Sequence, residues 1–366
     1  MTLAIYRKYR PKNFSELVGQ EYLVEIFRNA ARKNKLAQAY IFYGPRGTGK
    51  TTTARLVAKL ANCLSGDHLA KEGEPCNQCR VCQEINGGRA LDVIEIDAAS
   101  NRGIDEIRDL KESVRLSPSS YRRKIFIIDE AHMLTKEAFN ALLKTLEEPP
   151  EHVILILATT EYEKIPATIT SRTQRFHFQK ITISDIVMKL KAIAGKENFK
   201  VSDDALKLIA TAAEGGMRDA ESLLEQVAAH TQNANLATVE SIIGRIGSRR
   251  VIELCDFLAD KNLKGALGYL RQLNNSGANL VDLNKEMLNY LRRVLTFNCD
   301  KSIEAVLAND LTQDELAKIK IHSQKFSQPQ LISLIKSLIR AYSEMRYSPL
   351  PHVPLEVAII ENLGVE

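Results

Sequence analysis

Two short stretches carry side chains that could handle a phosphate. Gly44-Pro45-Arg46-Gly47-Thr48-Gly49-Lys50-Thr51 fits the pattern G-x-x-x-x-G-K-[ST], with Thr52 directly after it. Glycines let the backbone close around an anion, so that successive N–H groups cradle phosphate oxygens at a helix N-terminus. Lys50 would reach the β- and γ-phosphates and the Thr51 hydroxyl would ligate Mg²⁺. The second stretch, Lys124 to His132, is an apolar run ending in Asp129-Glu130. Asp129 would hold Mg²⁺, directly or through water, and Glu130 would act as general base on an attacking water. Both carboxylates could instead cap the following helix. His132 has no assigned chemistry and reads as structural.

A third group suits a metal. Cys63, Cys76, Cys79 and Cys82 follow the spacing C-x12-C-x2-C-x2-C. Four thiolates so spaced can close a tetrahedral Zn²⁺ site with no open position, which makes it structural rather than catalytic. An iron–sulfur cluster is the rival, but the ferredoxin run ends in C-x3-C-P, whereas Gln83-Glu84-Ile85-Asn86 follows here. Cys255 and Cys299 stand alone on helical patterns and read as core.

The elements that must position these groups are legible as patterns. Ala39 to Tyr43 is a short apolar strand. Ala54, Val57, Ala58 and Ala61 then recur at i, i+3, i+4, i+7, one face of a helix. Asp92 to Asp97 alternates as a strand, and Ile107, Leu110 and Val114 line the next helix. Thr135 caps a helix bearing Phe139, Leu142, Leu143 and Leu146, and Pro149-Pro150 ends it. Val153 to Ala158 is unbroken apolar sequence, as in a strand buried on both faces. It ends in Thr159-Thr160, hydroxyls beside the phosphate site. Strands alternating with helices predict a parallel α/β sheet with its ligand at the strand C-termini. From about residue 181 no further strand is expected. Residues 181–242 read as a small helical bundle and 243 to the end as further helices.

Other residues carry two readings each. Tyr9 and Arg10 could lie against an adenine, with Val18-Gly19 offering backbone groups, or the arm could simply pack on the domain. Ser100, Asn101 and Arg102 could contact DNA phosphates at a helix start, or serve as ordinary caps.

Length and composition set outer limits. The 366 residues are 45% hydrophobic and 26% charged, with a net charge of +5. That is enough chain for two or three globular domains, and the charge permits nucleic-acid contact without demonstrating it. No apolar run reaches membrane-spanning length. The N-terminus lacks the basic-then-apolar order of a signal peptide. The cytoplasm is expected, and six cysteines there point away from a disulfide framework.

Taken together these motifs resemble the gamma/tau-type subunits of the bacterial DNA polymerase III clamp loader, which are AAA+ ATPases. The matching residues run in family order: Tyr9-Arg10-Pro11, Gly44 to Thr51, the four-cysteine module, Asp129-Glu130-Ala131-His132, Ala158-Thr159-Thr160, Ser171-Arg172, Gly216-Met217-Arg218-Asp219 and Pro354-Leu355-Glu356. The resemblance implies three domains. These are a RecA-like ATPase domain over 1–180 with its zinc module at about 62–90, a helical lid over 181–242, and an all-α collar over 243–366. It also implies roles that spacing does not reveal. Arg172 would be an arginine finger reaching the ATP of a neighbouring subunit. Thr159 or Thr160 would be sensor 1, and Arg218 sensor 2. The implied partners are delta, delta-prime and further gamma/tau copies in a hetero-pentamer, the sliding clamp, and primer–template DNA. The finger motif has Thr173 where many relatives carry cysteine. A longer tau form would add domains beyond the collar, so a short gamma-like form or a truncated chain is expected. No carboxylate constellation for a polymerase is evident. The alternatives are another AAA+ DNA-remodelling ATPase or a non-hydrolysing scaffold subunit. The zinc module speaks against the first, and intact Lys50, Thr51, Asp129 and Glu130 against the second.

Overall fold

A computed structural model describes residues 4–100, 104–243, 248–311, 313–345 and 347–364. Its central feature is a five-stranded parallel sheet made of β1 (Ala39–Tyr43), β2 (Val93–Asp97), β3 (Lys124–Asp129), β4 (Val153–Thr159) and β5 (Gln174–His177), in the order β2-β3-β4-β1-β5. The apolar runs form it because successive side chains point to opposite faces and both faces are covered. Tyr40, Phe42, Ile125, Ile127, Ile154 and Ile156 enter one core with Phe27, Ala54 and Val57. Ile41, Phe126, Ile128, Leu155 and Leu157 enter the other with Leu142 and Leu146.

Helix α1 (Lys50–Asn62) leaves the loop after β1, and α2 (Lys136–Glu147) starts at Thr135, whose hydroxyl accepts the Ala138 N–H at 3.2 Å. The strand order matters for chemistry. Because β4 lies between β3 and β1, Thr159 emerges between Asp129 and Gly44, paired in register with Tyr43.

The chain divides into two compact units, Met1–Ile193 with Ala210–Glu225, and Ala194–Ile209 with Gln226–Glu366. Among its described residues the second is helical apart from one feature absent from the sequence reading, a two-residue parallel pair of Lys200–Val201 with Asn233–Ala234. So short a pairing leaves no detectable period. Its helices include α4 (Ser248–Ala259), α5 (Leu280–Cys299) and α6 (Gln313–Lys325). Val251, Leu254, Cys255 and Leu258 are buried as expected. Cys299 is not core but exposed. It is the last residue of α5 and falls off the stripe ending in Leu291, Val294 and Phe297. A polar chain crosses this core: Tyr290 bonds His322 Nδ1 at 2.7 Å, and His322 Nε2 bonds Asp256 at 2.9 Å.

Candidate active site

The glycine loop folds as its residue types require. Gly44, Gly47 and Gly49 hold φ of 142°, 75° and 102°. A Cβ at Gly44 would lie 2.2 Å from the Phe178 carbonyl oxygen, and at Gly47 2.9 Å from the Gly216 Cα. Gly49 precedes α1 in the left-handed conformation and no side chain caps the helix. Its first-turn N–H groups therefore face the loop, an arrangement suited to an anion. Lys50 is only 6% exposed, and its ammonium donates to the carbonyls of Gly44 (2.8 Å) and Pro45 (2.7 Å). Burial pulls its pKa down, against the pull of Glu130 and Asp129.

The strand ends complete the constellation. Thr51 Oγ1 donates to Asp129 Oδ2 at 2.7 Å. This joins the two predicted Mg²⁺ ligands in one place, a hydroxyl and a carboxylate being hard oxygen donors of the kind Mg²⁺ takes. Glu130 adopts φ 47° and ψ 44°, and its Oε2 accepts the Thr160 hydroxyl at 3.0 Å. Thr159 is fully buried. Its Oγ1 accepts the Glu161 N–H at 3.0 Å and lies 3.0 Å from His132 Nδ1. His132 also approaches Glu130 Oε2 at 3.5 Å and Glu161 Oε1 at 3.1 Å.

One cleft gathers most of these groups, with about 950 Å³ of open space including its mouth, a size suited to a nucleotide. Its wall includes Arg10, Val18, Arg46, Gly47, Thr48, Gly49, Lys50, Thr51, Thr52, Asp129, Glu130 and Arg218. The Met217 N–H donates to the Gly47 carbonyl at 2.9 Å, so helix α3 (Met217–His230) begins against the loop and brings Arg218 with it. Five cationic side chains face the cleft, Arg10, Arg46, Lys50, Lys189 and Arg218, against four carboxylates, Glu16, Asp129, Glu130 and Glu221. Burial pushes the Glu221 carboxyl up to about 7, so its charge is only partly present near neutrality. Burial, and then Arg55, lower the pKa of Arg10. The net balance is mildly positive, which suits a metal-complexed triphosphate.

Several predicted residues lie elsewhere. Tyr9 is not on the cleft wall; Tyr6 takes that place, its ring 4.9 Å beneath the Arg218 guanidinium. Gly19 packs behind Val18, against Ile181. Gly44 and Pro45 contribute their carbonyls to Lys50 rather than wall surface. Thr159 and Thr160 stand behind Glu130. Arg172 does not reach this cleft: it is exposed and donates to Glu147 Oε1 (2.7 Å) and the Thr168 carbonyl (2.8 Å). Ser100 donates to Asp97 at 3.3 Å in the turn after β2. Asn101 and Arg102 lie outside the described residues. Sequence reasoning did not assign Tyr6, Pro11, Glu16, Leu17, Ile181, Lys189, Met217 or Glu221 to the cleft. Only Met217 and Glu221 had a possible signal, through their one-turn spacing around Arg218.

The cysteine module sits at the far end of α1. The four sulfurs lie within 4.8 Å of one another. Tetrahedral Zn–S bonds of about 2.3 Å place sulfurs about 3.8 Å apart, so the set fits one such cation. Burial pushes the Cys63 and Cys82 thiols up. At Cys76 burial also opposes ionisation, but the Ser65 hydroxyl and the N–H groups of Cys79 and Gln78 bring the thiol down to about 6. Among the described residues no helix is long and apolar enough to cross a membrane.

Family models match nearly the whole chain. The DNA polymerase III delta-subunit model covers residues 19–182, the clamp-loader ATPase lid domain 185–233, and domain III of subunits gamma and tau 234–365. DNA polymerase III subunit tau of Bacillus subtilis is 43% identical over 98% of this chain and 62% of its own length. DNA polymerase III subunit gamma of Buchnera aphidicola from Schizaphis graminum is 36% identical over 98% of this chain and 97% of its own. The chain thus spans less than two thirds of the Bacillus relative. Among solved structures, the RuvB branch-migration motor of Thermotoga maritima aligns with TM-score 0.49 at 18% identity, over 68% of this chain and 79% of that one.

Proposed function

Because the chain belongs to the gamma/tau family of DNA polymerase III clamp-loader subunits, we propose that it is an ATP-hydrolysing motor that opens the sliding clamp and loads it onto primer–template DNA. The observation that carries this reading is the convergence of Lys50, the Thr51–Asp129 pair, Glu130 and Arg218 on one cleft. The glycine loop and Lys50 bind the phosphates, and Arg218 senses them from the neighbouring helix. Tyr6, Arg10 and Val18 frame the base. Glu130 takes a proton from the attacking water. Mg²⁺ held by Thr51 and Asp129 supplies charge neutralisation on the phosphates.

Arg172 is read as acting in trans, on the nucleotide of the next subunit, which its exposed position away from its own cleft supports. The chain is divided as an ATPase domain (1–180), a lid (181–242) and a collar (243–366) that joins delta, delta-prime and further gamma/tau copies in a pentamer. The cysteine module holds a structural Zn²⁺. The site of action is the cytoplasm.

The test is steady-state ATP hydrolysis by the chain reconstituted with delta-type subunits, with and without sliding clamp and primed DNA. The expected result is stimulation that needs both clamp and primed DNA. Lys50→Ala abolishes it, and Arg172→Ala loses on the order of 10³-fold or more, as for trans-acting arginines elsewhere. Turnover indifferent to clamp and primed ends refutes clamp loading. Intact stimulation in Arg172→Ala refutes the trans finger.

A further inference from the structure

His132 follows the carboxylate pair but has no part in the chemistry assigned above. Its ring is nearly buried, with 7% of the side chain exposed, and it touches three groups around the reacting end of the cleft. Nε2 is 3.1 Å from Glu161 Oε1. Lys164 holds the Glu161 carboxyl below its usual range, so Glu161 is ionised and can only accept. Nε2 therefore carries a proton. In the neutral ring Nδ1 is then bare, an acceptor. Thr159 Oγ1 lies 3.0 Å from it and already accepts the Glu161 N–H, so its hydroxyl proton is directed at Nδ1. Glu130 Oε2 is 3.5 Å from the same Nδ1, and Thr160 donates to it at 3.0 Å.

From this geometry, and resting on the ATPase reading, we propose that His132 is the positioning residue of the hydrolytic step: its Nδ1 orients the Thr159 hydroxyl at the end of β4, next to the Thr160 hydroxyl that holds the Glu130 carboxylate. The ring touches neither the glycine loop nor Arg218, so it acts on the reaction and not on nucleotide capture. It is anchored from behind by Glu161, whose backbone N–H and carboxylate hold Thr159 and His132 respectively. One imidazole thus ties the end of β3 to the end of β4.

The two ring nitrogens make the inference testable. An asparagine places a polar atom near the position of Nδ1, and a glutamine near that of Nε2. In the reconstituted assembly with clamp and primed DNA, His132→Ala and His132→Gln should lower kcat about 10- to 100-fold, the scale of a misplaced catalytic group. The dissociation constant for a fluorescent ATP analogue should stay within about twofold of wild type on the same argument. His132→Asn should recover most of kcat. In a Thr159→Val background His132→Ala should cost nothing more, a readout that stands even if the alanine variant is less stable. Equal loss in all three variants, loss in none, or a rise in the dissociation constant matching the loss of activity overturns the proposal. Glu130→Gln separates the two layers: wild-type turnover there defeats the ATPase reading itself. An inactive Glu130→Gln beside a fully active His132→Ala defeats only the role of His132.

Discussion

Gly47→Ala tests how the lid-side helix is tied to the phosphate loop. Gly47 holds φ 75°, and a Cβ there would stand 2.9 Å from the Gly216 Cα and 3.2 Å from its carbonyl carbon. Left-handed backbone costs a residue with a side chain about 1–2 kcal/mol. The contact is with backbone, so it cannot be relieved by a rotamer change. The start of α3 must move, breaking the 2.9 Å bond from the Met217 N–H to the Gly47 carbonyl, which is worth about 1 kcal/mol net. The two costs amount to about 2–3 kcal/mol, or about 30- to 150-fold in affinity. Because Arg218 rides on the same turn, the loss should fall on ATP analogues more than on ADP. Titration with fluorescent ATP and ADP analogues reads it directly. Gly195→Ala is the control, since a Cβ there meets nothing within 4 Å in a helix, and it should stabilise by up to about 1 kcal/mol. Gly47→Ala binding ATP analogues within about twofold of wild type would show that loop and helix are not coupled, because an effect of about 2–3 kcal/mol cannot hide in that margin.

The other predictions concern metal and pH. Cys82→Ser, or chelation, should strip one equivalent of metal, measurable by elemental analysis. It should lower the melting temperature by about 4–8 °C, for a loss of about 2 kcal/mol in a domain this size; a wild-type chain purified without metal counts against the site. The two units should respond to pH with opposite sign. The Glu221 carboxyl is raised to about 7, so the folded first unit binds a proton that the unfolded chain has released. Its stability falls as pH rises from about 4.5 through 7, by at most about 3 kcal/mol, and Glu221→Gln should abolish the fall. Burial lowers the pKa of His322, outweighing the bond to Asp256. The unfolded chain then takes up the proton first, and the second unit loses stability as pH drops below about 6.5. Hydrogen exchange resolved by segment from pH 5 to 8 separates the two, and uniform protection across both units would refute the pair.

How much of this was legible beforehand depended on whether a residue's role is set along the chain or across it. The glycine loop, Lys50 and Thr51 act within a single turn, so their spacing announces them. The strands were legible because both faces are covered, leaving unbroken apolar runs, Ile125 to Ile128 in β3 and Val153 to Ala158 in β4. Helix faces followed the same rule: Ala54, Val57 and Ala58 are buried in α1, and Phe139, Leu142 and Leu146 in α2. The base-side wall was different. Tyr9 looked the better ring by its place beside Arg10-Pro11, but the short helix Ile5–Lys8 turns Tyr6 to the cleft and beneath Arg218. No local pattern records that choice, because it is made by a helix two hundred residues away. The cysteine module was legible as a ligand set from its spacing alone.

His132 illustrates the boundary most clearly. On the chain it is the second residue after Glu130 and lies beyond the end of β3, where no strand or helix period says which way a side chain points, and a structural reading follows. The left-handed conformation at Glu130 turns the chain out of the strand and opens the short helix Ala131–Met133. The ring is turned back toward the end of β4, where strand order has already placed Thr159 between Asp129 and Gly44. A positive φ is costly for glutamate, about 1–3 kcal/mol, and such strain persists only where surrounding contacts over-determine it. Here the contacts are the Thr160 hydroxyl on Glu130 and the Thr159 and Glu161 contacts of His132. The same backbone reversal therefore aims the carboxylate at the Thr160 hydroxyl and brings the imidazole to the neighbouring Thr159, which is why neither residue's role can be read without the other.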